Sequence, residues 1–376
     1  MPIEQPYHPE EVSEHLTLLN QATACLAGEK TFILFREPGD SPELWLQNRS
    51  DLMKSPDSVS GGSYLTVRPF DGPELYLTAD QLIRPGERPV LDNCESSALS
   101  ATPQSEISDS GYIKLVDTAI STINCSELQK VALSKLLTVE TKDLDIVKAF
   151  QSACARLPNA FVYLLRSPDT GLWLGATPEK LISFRGTELQ IDSIAATRRT
   201  DIAPLNMSGW NAKERQEQQI VTTGISEVLG KSGCQNITVT SPQVLQAGPV
   251  SHLFSKILAS CEGIDKIRLI EQLHPTAAVG GAPKETALRF IRAHEGYERG
   301  LYSGFLGVSK TSSTQENYYV NIRCMQVFDE QVQLYLGCGI TGSSVPQNEL
   351  DETRSKARTW LDILAPTTEN GDLGSL

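Results

Sequence analysis

Two short stretches of this chain carry carboxylates at helical spacing. Glu349, Glu352 and Lys356 stand at i, i+3 and i+7 in a segment that opens with Pro346, a favoured first helical residue, so all three project from one face. Glu214 and Glu217 repeat the i, i+3 spacing in a second helical segment, from about Asn211 to Leu229. Two such pairs facing one another across a cleft repel strongly, and a divalent ion resolves the repulsion. Mg²⁺, held by carboxylates from each helix with waters and substrate completing the octahedron, is the natural candidate. The same spacings also fit solvated ion-pair stripes.

Single residues add acid–base capacity. Lys130 begins KVALSK, a strand-like run that places Lys130, Ala132 and Ser134 on one face. Pointed into a cleft, such a lysine is desolvated and becomes usable as a general base; pointed outward, it is merely solvated. Glu179 follows Thr177-Pro178 at the start of a β-prone run, where a desolvated carboxyl stays protonated and serves as a general acid, the alternative being a solvated turn carboxylate. His252, Tyr302 and Arg323 each fall on an expected strand; core or edge roles suit the first two, whereas a half-buried guanidinium needs an anionic partner. Gly337-Cys338-Gly339 closes another strand, just ahead of the Glu349 helix, where glycine lets backbone approach a ligand.

The elements that must position these groups read as α+β. Val12, Leu16 and Leu19 recur at helical spacing, and short β-prone runs follow at Thr31 to Phe35 and Ser63 to Phe70. A serine-rich stretch from Glu95 to Ser110 reads as a loop or linker, dividing an N-terminal part, 1–94, from a catalytic part, 111–365, with a frayed tail over 366–376. In the second part a helix runs through Leu144, Val147, Phe150 and Leu157, with strands at Phe161 to Leu165 and Leu172 to Leu174. Later come a helix after Pro283, strands at Leu301 to Val308, Tyr318 to Val327 and Val332 to Leu336, and a last helix from Pro346 to Leu364. Antiparallel runs mixed irregularly with helices point away from a doubly wound parallel sheet.

Composition narrows the function classes. The 376 residues carry 33 Lys+Arg against 46 Asp+Glu, 33 − 46 = −13, which argues against non-specific nucleic-acid binding. There is no run of 18 apolar residues, and the acidic start MPIEQPYHPEEVSEH lacks signal-peptide features, so the expectation is a cytoplasmic protein with no membrane role. Eight cysteines stand singly and five histidines show no H-x-x-x-H, which argues against a zinc hydrolase.

Read in order, KVALSK from Lys130, LGATPEKL from Leu174, IAATR from Ile194, KERQEQ from Lys213, LHPTAAVGGAPK from Leu273, RGLYSGFLG from Arg299, YVNIRCMQ from Tyr319 and LGCGITGSSVPQNELDETRSK from Leu336 closely resemble the chorismate-utilising enzymes. That family includes isochorismate synthase, salicylate synthase, anthranilate synthase component I and aminodeoxychorismate synthase. The resemblance implies two large sheets sandwiching a deep cleft, with Mg²⁺ holding the ring carboxylate of chorismate. It implies Lys130 as the base that activates water for attack at C2 and Glu179 as the acid that protonates the departing C4 hydroxyl. It further implies Glu217 and Glu352 as principal magnesium ligands, with Glu214 and Glu349 adjacent or water-mediated. Tyr302, Arg323 and the backbone of Gly337 and Gly339 match the side that holds the enolpyruvyl carboxylate, and His252 and Lys356 match pocket positions.

Two departures stand out. Ala196-Thr197 occupies a pocket loop where the family often has Gly-Thr or Gly-Ser, and Gln218 replaces a histidine that often follows the metal glutamate. Ala278 resembles the isochorismate synthases, where amine-using and salicylate-forming members tend to carry Thr. The expectation is therefore isochorismate synthase, an isomerase acting for menaquinone biosynthesis, as a monomer without an obligate amidotransferase partner. Salicylate synthase, isochorismate supply for a siderophore, and a catalytically silent chorismate-binding module are the alternatives.

Overall fold

The structure, a computed structural model, describes residues 9–55, 61–201, 203–247 and 250–365, apart from the side chains of 9–16, 197, 199, 247 and 250; residues 1–8 of the acidic start and the tail lie outside this set. In chain order the N-terminal part supplies α1 (Pro9–Ala27), β1 (Phe32–Arg36), β2 (Glu43–Leu46), β3 (Tyr64–Arg68), β4 (Leu75–Thr78) and β5 (Gln81–Ile83). The middle contributes α2 (Asp109–Cys125), β6 (Lys130–Glu140), α3 (Ile146–Arg156), β7 (Phe161–Ser167), β8 (Gly171–Thr177), β9 (Lys180–Arg185), β10 (Glu188–Arg199) and α4 (Ala212–Lys231). Next come β11 (Gln235–Val239), β12 (Gln243–Ala247), β13 (Val250–Ser260), α5 (Lys266–Leu273), β14 (Gly281–Ala282) and α6 (Lys284–His294). The chain closes with β15 (Phe305–Ser309), β16 (Gln315–Val320), β17 (Cys324–Val327), β18 (Gln331–Thr341) and α7 (Pro346–Leu364).

These strands build two antiparallel sheets. One runs β14-β6-β18-β17-β8-β7-β1-β2-β5; the other runs β11-β13-β10-β9-β16-β15-β3-β4, with β12 also paired to β13. Period-2 alternation with both faces apolar explains the layering. In β1, Phe32 and Leu34 join a core with α1, α3 and α7, while Ile33 and Phe35 face the other sheet. β7 repeats this with Val162 and Leu164 against Phe161, Tyr163 and Leu165. Each fully buried large apolar side chain contributes about 1.5–3 kcal/mol. The segment before Glu95 is woven into both layers, since β1, β2 and β5 lie in the first sheet and β3 and β4 in the second.

Helices α4 and α7 carry the carboxylates, and their apolar stripes fix which way these point. On α4, Gln218, Val221, Ile225 and Leu229 are buried, at spacings of three and four, and the helix packs on β10 and β13. On α7, Leu350, Thr353, Ala357, Trp360 and Leu364 do the same against β18, α2 and α3.

Three expected strands differ. Leu301 to Gly304 is a turn, and β15 begins only at Phe305; the run from Tyr318 to Val327 splits into β16 and β17 around Asn321–Arg323; the last is longer, Gln331–Thr341. Ser303 and Arg323 have φ of 61° and 52°, left-handed values that interrupt a strand. The two turns hold each other: Ser303 N–H donates to Asn321 O at 2.7 Å and Asn321 N–H to Gly304 O at 2.8 Å. Tyr302 and Arg323 are thus turn residues.

Candidate active site

Lys130 opens β6, whose first seven residues are all buried, so neither face of this strand is solvated. Its side chain has no exposure and its Nζ lies 3.0 Å from Glu217 Oε1, an ion pair at an angle that makes no hydrogen bond. Glu179 sits in the tight link between β8 and β9, with its N–H donating to Thr177 Oγ1 at 3.2 Å and its carbonyl accepting from Val320 N–H at 3.0 Å. Its carboxyl is buried, and burial pushes its pKa up from 4.5 to about 7, Asp192 adding to the rise while Lys130, Lys356 and Arg323 oppose it.

α4 is locked at its start by a capping box in which Asn211 Oδ1 accepts from Glu214 N–H and Glu214 Oε2 accepts from Asn211 N–H. Arg198 grips the same Glu214 carboxylate with two donors, at 2.5 and 2.7 Å. One turn on, Glu217 reaches inward. Across from it, Glu349 pairs with Lys213 at 2.6 Å and Glu352 with Lys356 at 2.7 Å, while Lys356 also donates to Gly337 O at 2.6 Å. Glu217, Glu349 and Glu352 therefore each face one lysine. Burial raises the pKa of Glu349; at Glu352 burial is outweighed by Lys356, Lys213 and Arg323, and its carboxyl is held low.

Glu349 and Glu352 each bring a carboxylate oxygen to within 4.8 Å of one another and of Cys338 Sγ. Burial raises the pKa of the Cys338 thiol, which donates to Glu349 O at 3.2 Å. The donor set is carboxylate oxygen, which suits a hard ion such as Mg²⁺. Glycine at 339 keeps this space open: a Cβ there would collide with Glu217 Oε1 and come within 2.9 Å of Lys130 Cε.

The opposite end is shaped for an anion. Arg323 is half-buried, and its loss of water lowers its pKa despite Glu352 and other neighbours. Tyr302 stacks on Tyr335 with ring centroids 5.3 Å apart, and its hydroxyl lies so close to Gly337 that a Cβ there would collide with it. His252, on β13, has its pKa lowered to about 3 by burial, with Arg323 and Lys356 adding to the effect, and is neutral. Beside it Ala196 holds φ 56° where the β10–β13 register shifts between Ala195 and Thr197, a bulge that turns its methyl into the cavity. Thr197 pairs with His252 through the main chain.

One cavity is lined by Lys130, Glu179, Ala196, Glu217, His252, Ala278, Tyr302, Arg323, Gly337, Gly339, Glu349, Glu352 and Lys356. Glu214 stands at its outer mouth beside Arg198 and Asn211. Sequence reasoning passed over Lys213, Ile194, Val279, Ile322 and Tyr335, which also line it. For Lys213 a signal existed, a cation four residues before Glu217; for the apolar ones none did.

Known proteins place this cavity in context. The profile described as "Chorismate binding enzyme" matches residues 77–365. The chain is 30% identical over 263 residues to isochorismate synthase MenF of Escherichia coli K12, covering 67% of this chain and 60% of that protein. It is 28% identical over 297 residues to the vibriobactin-specific isochorismate synthase of Vibrio cholerae, covering 76% of this chain and 73% of that protein. In three dimensions it overlays the menaquinone-specific isochorismate synthase MenF from Escherichia coli with a TM-score of 0.77 at 21% identity, covering 97% and 93% of the two chains. Anthranilate synthase component I from Streptococcus pneumoniae overlays at 0.64 and 17% identity, covering 88% and 90%. With the profile spanning most of its length, and with the two-sheet fold in common, the chain belongs to the chorismate-binding enzyme family.

Proposed function

We propose that this protein is an isochorismate synthase, an isomerase that converts chorismate to isochorismate. The observation that carries the reading is the pair Lys130 and Glu179, both buried in one cavity, the first with no in-line hydrogen-bond partner and the second with a pKa near neutrality. A module that only binds chorismate needs neither. Lys130 takes a proton from the water whose oxygen bonds to C2, the ring double bonds shift, and the C4–O bond breaks as Glu179 gives its proton to the leaving hydroxyl, which departs as water. In the back reaction the two exchange roles. Arg323, Tyr302 and the N–H groups of Gly337 and Gly339 hold the enolpyruvyl carboxylate. His252, Lys356 and Ala196 complete the ring pocket.

Glu217 and Glu352 would hold Mg²⁺, with Glu349 and Glu214 as adjacent or water-mediated partners, and the ion would supply positive charge to the ring carboxylate. Ala278 lines the cavity with a methyl group and offers no hydroxyl to a second nucleophile, which favours isochorismate over an aminated or pyruvate-eliminated product. Menaquinone biosynthesis is the proposed destination, in the cytoplasm, by a monomer needing no amidotransferase partner.

Purified protein incubated with chorismate and Mg²⁺, followed by chromatography, tests this. Isochorismate as main product is expected. Salicylate or anthranilate as main product overturns the assignment, and undiminished turnover in excess chelator overturns the metal.

A further inference from the structure

Behind the cavity wall lies a buried ion pair that the chemistry above does not use. Arg299, in the link from α6 to β15, and Glu295, at the end of α6, are 4% and 4% exposed. All five guanidinium N–H groups of Arg299 are directed. Nε donates to Glu295 Oε2 at 2.8 Å, and one donor of Nη2 goes to Glu295 Oε1. The other Nη2 donor meets Ala132 O at 2.7 Å, and Nη1 donates to Val279 O at 2.9 Å and Ser303 Oγ at 3.3 Å. Glu295 Oε1 in turn accepts from Ser134 N–H at 2.8 Å and Ser134 Oγ at 3.1 Å. The guanidinium also lies over Phe70, 4.4 Å from its ring centroid.

What these partners have in common is the cavity. Ala132 and Ser134 follow Lys130 on the same face of β6; Val279 is next to Ala278; Ser303 is next to Tyr302, whose own N–H donates to Arg299 O at 2.9 Å. One planar fork therefore spans the strand that carries the proposed base, the loop that carries the proposed selectivity residue, and the turn that carries the carboxylate-binding tyrosine. Main-chain bonds also join the first two where β14 pairs with β6, through Ala132 N–H to Gly280 O at 2.9 Å and Gln129 N–H to Ala282 O at 2.8 Å, but they do not reach the Tyr302 turn.

We infer that Arg299, clamped by Glu295, is a positioning residue that sets the spacing between Lys130, Ala278 and Tyr302 across the cavity. It acts through its neighbours and touches no substrate, and its effect on turnover rests on the isochorismate synthase reading. Lysine cannot replace it, because a single ammonium has three donors and no fixed plane with which to join three separate segments.

The full chain is compared with Arg299→Lys, with Glu295→Gln as a second variant should the first fail to fold, and with Arg292→Lys, in the exposed pair with Asp71, as control. Thermal unfolding, chorismate affinity, kcat and amide hydrogen exchange are measured well below the melting temperature. Arg299→Lys is expected to lower kcat about 10- to 100-fold, as misplacement of reacting groups does, while chorismate affinity changes far less. Exchange is expected to quicken in peptides covering 129–134 and 276–282 and to stay unchanged in α7 and the β1–β7 region, whereas a purely structural loss quickens exchange throughout. Unchanged kcat in Arg299→Lys, or exchange that rises uniformly or nowhere, overturns the inference. If the wild-type protein leaves chorismate unaltered, the functional reading fails, and the exchange pattern alone decides the positioning role.

Discussion

Replacing Glu179 by Gln separates the role of its proton from the role of its shape. Gln is close to isosteric with a protonated Glu, so the cavity keeps its contacts and loses only a group that ionises. The wild-type carboxyl, at about 7 in place of 4.5, faces Lys130 from β6, Lys356 from α7, Asp192 from β10 and Arg323 from the turn before β17. Because its folded pKa lies above its unfolded one, the native state binds the extra proton between these values, and the stability of the wild-type protein falls as pH rises from about 4.5 to about 7, then levels off. With 1.36 kcal/mol for each pKa unit, the cost of holding this carboxyl is about 1 kcal/mol at pH 5 and about 3 kcal/mol at pH 8. Glu179→Gln is therefore expected to be more stable than wild type by a margin that grows by about 2 kcal/mol between pH 5 and pH 8. Urea unfolding at both pH values reads this directly. The same variant loses the general acid, and its turnover should fall about 10²–10⁴-fold. In the wild-type protein the protonated fraction drops from about nine-tenths at pH 6 to about one-tenth at pH 8, so turnover limited by this acid falls across that interval and the variant lacks the limb. A stability margin equal at the two pH values, or a variant with near-normal turnover, refutes the reasoning.

Lys130→Ala removes the proposed base and leaves Glu217 without its lysine; turnover should fall about 10²–10⁴-fold in both directions with chorismate still bound, checked by calorimetry beside the product assay. Gly339→Ala drives a methyl into Glu217 and Lys130, so Mg²⁺ affinity should drop about 10–100-fold while circular dichroism stays native, as for other disturbances of a metal's supporting groups. Ala278→Thr changes pocket contacts by about 1–3 kcal/mol, enough to lower isochorismate formation without changing the Mg²⁺ requirement, and chromatography with ammonium supplied shows whether a second product appears.

Much of this site was legible because its residues are tied to local periodicity. The i, i+3 carboxylates of α4 and α7 had to share a helix face, Pro346 had to open α7, and the apolar alternation of Phe32 to Phe35 had to give a strand. The order of motifs from KVALSK to DETRSK carried the family. Turns were less legible. The stretch YYVNIRCMQV alternates as one strand would, yet Asn321 breaks it with bonds no pattern encodes: its Nδ2 donates to Leu301 O at 2.8 Å, and its Oδ1 accepts from Tyr163 at 2.7 Å. Spacing along one element also says nothing about partners on another. Lys213 and Glu349 are 136 residues apart, and only the packing of α4 on β10 and of α7 on β18 brings them to 2.6 Å. The charge state of Glu179 was decided in the same way. A carboxyl after Thr-Pro is ordinary until the sheets on either side remove its water, and burial is a property of the closed fold, not of the segment that carries the residue.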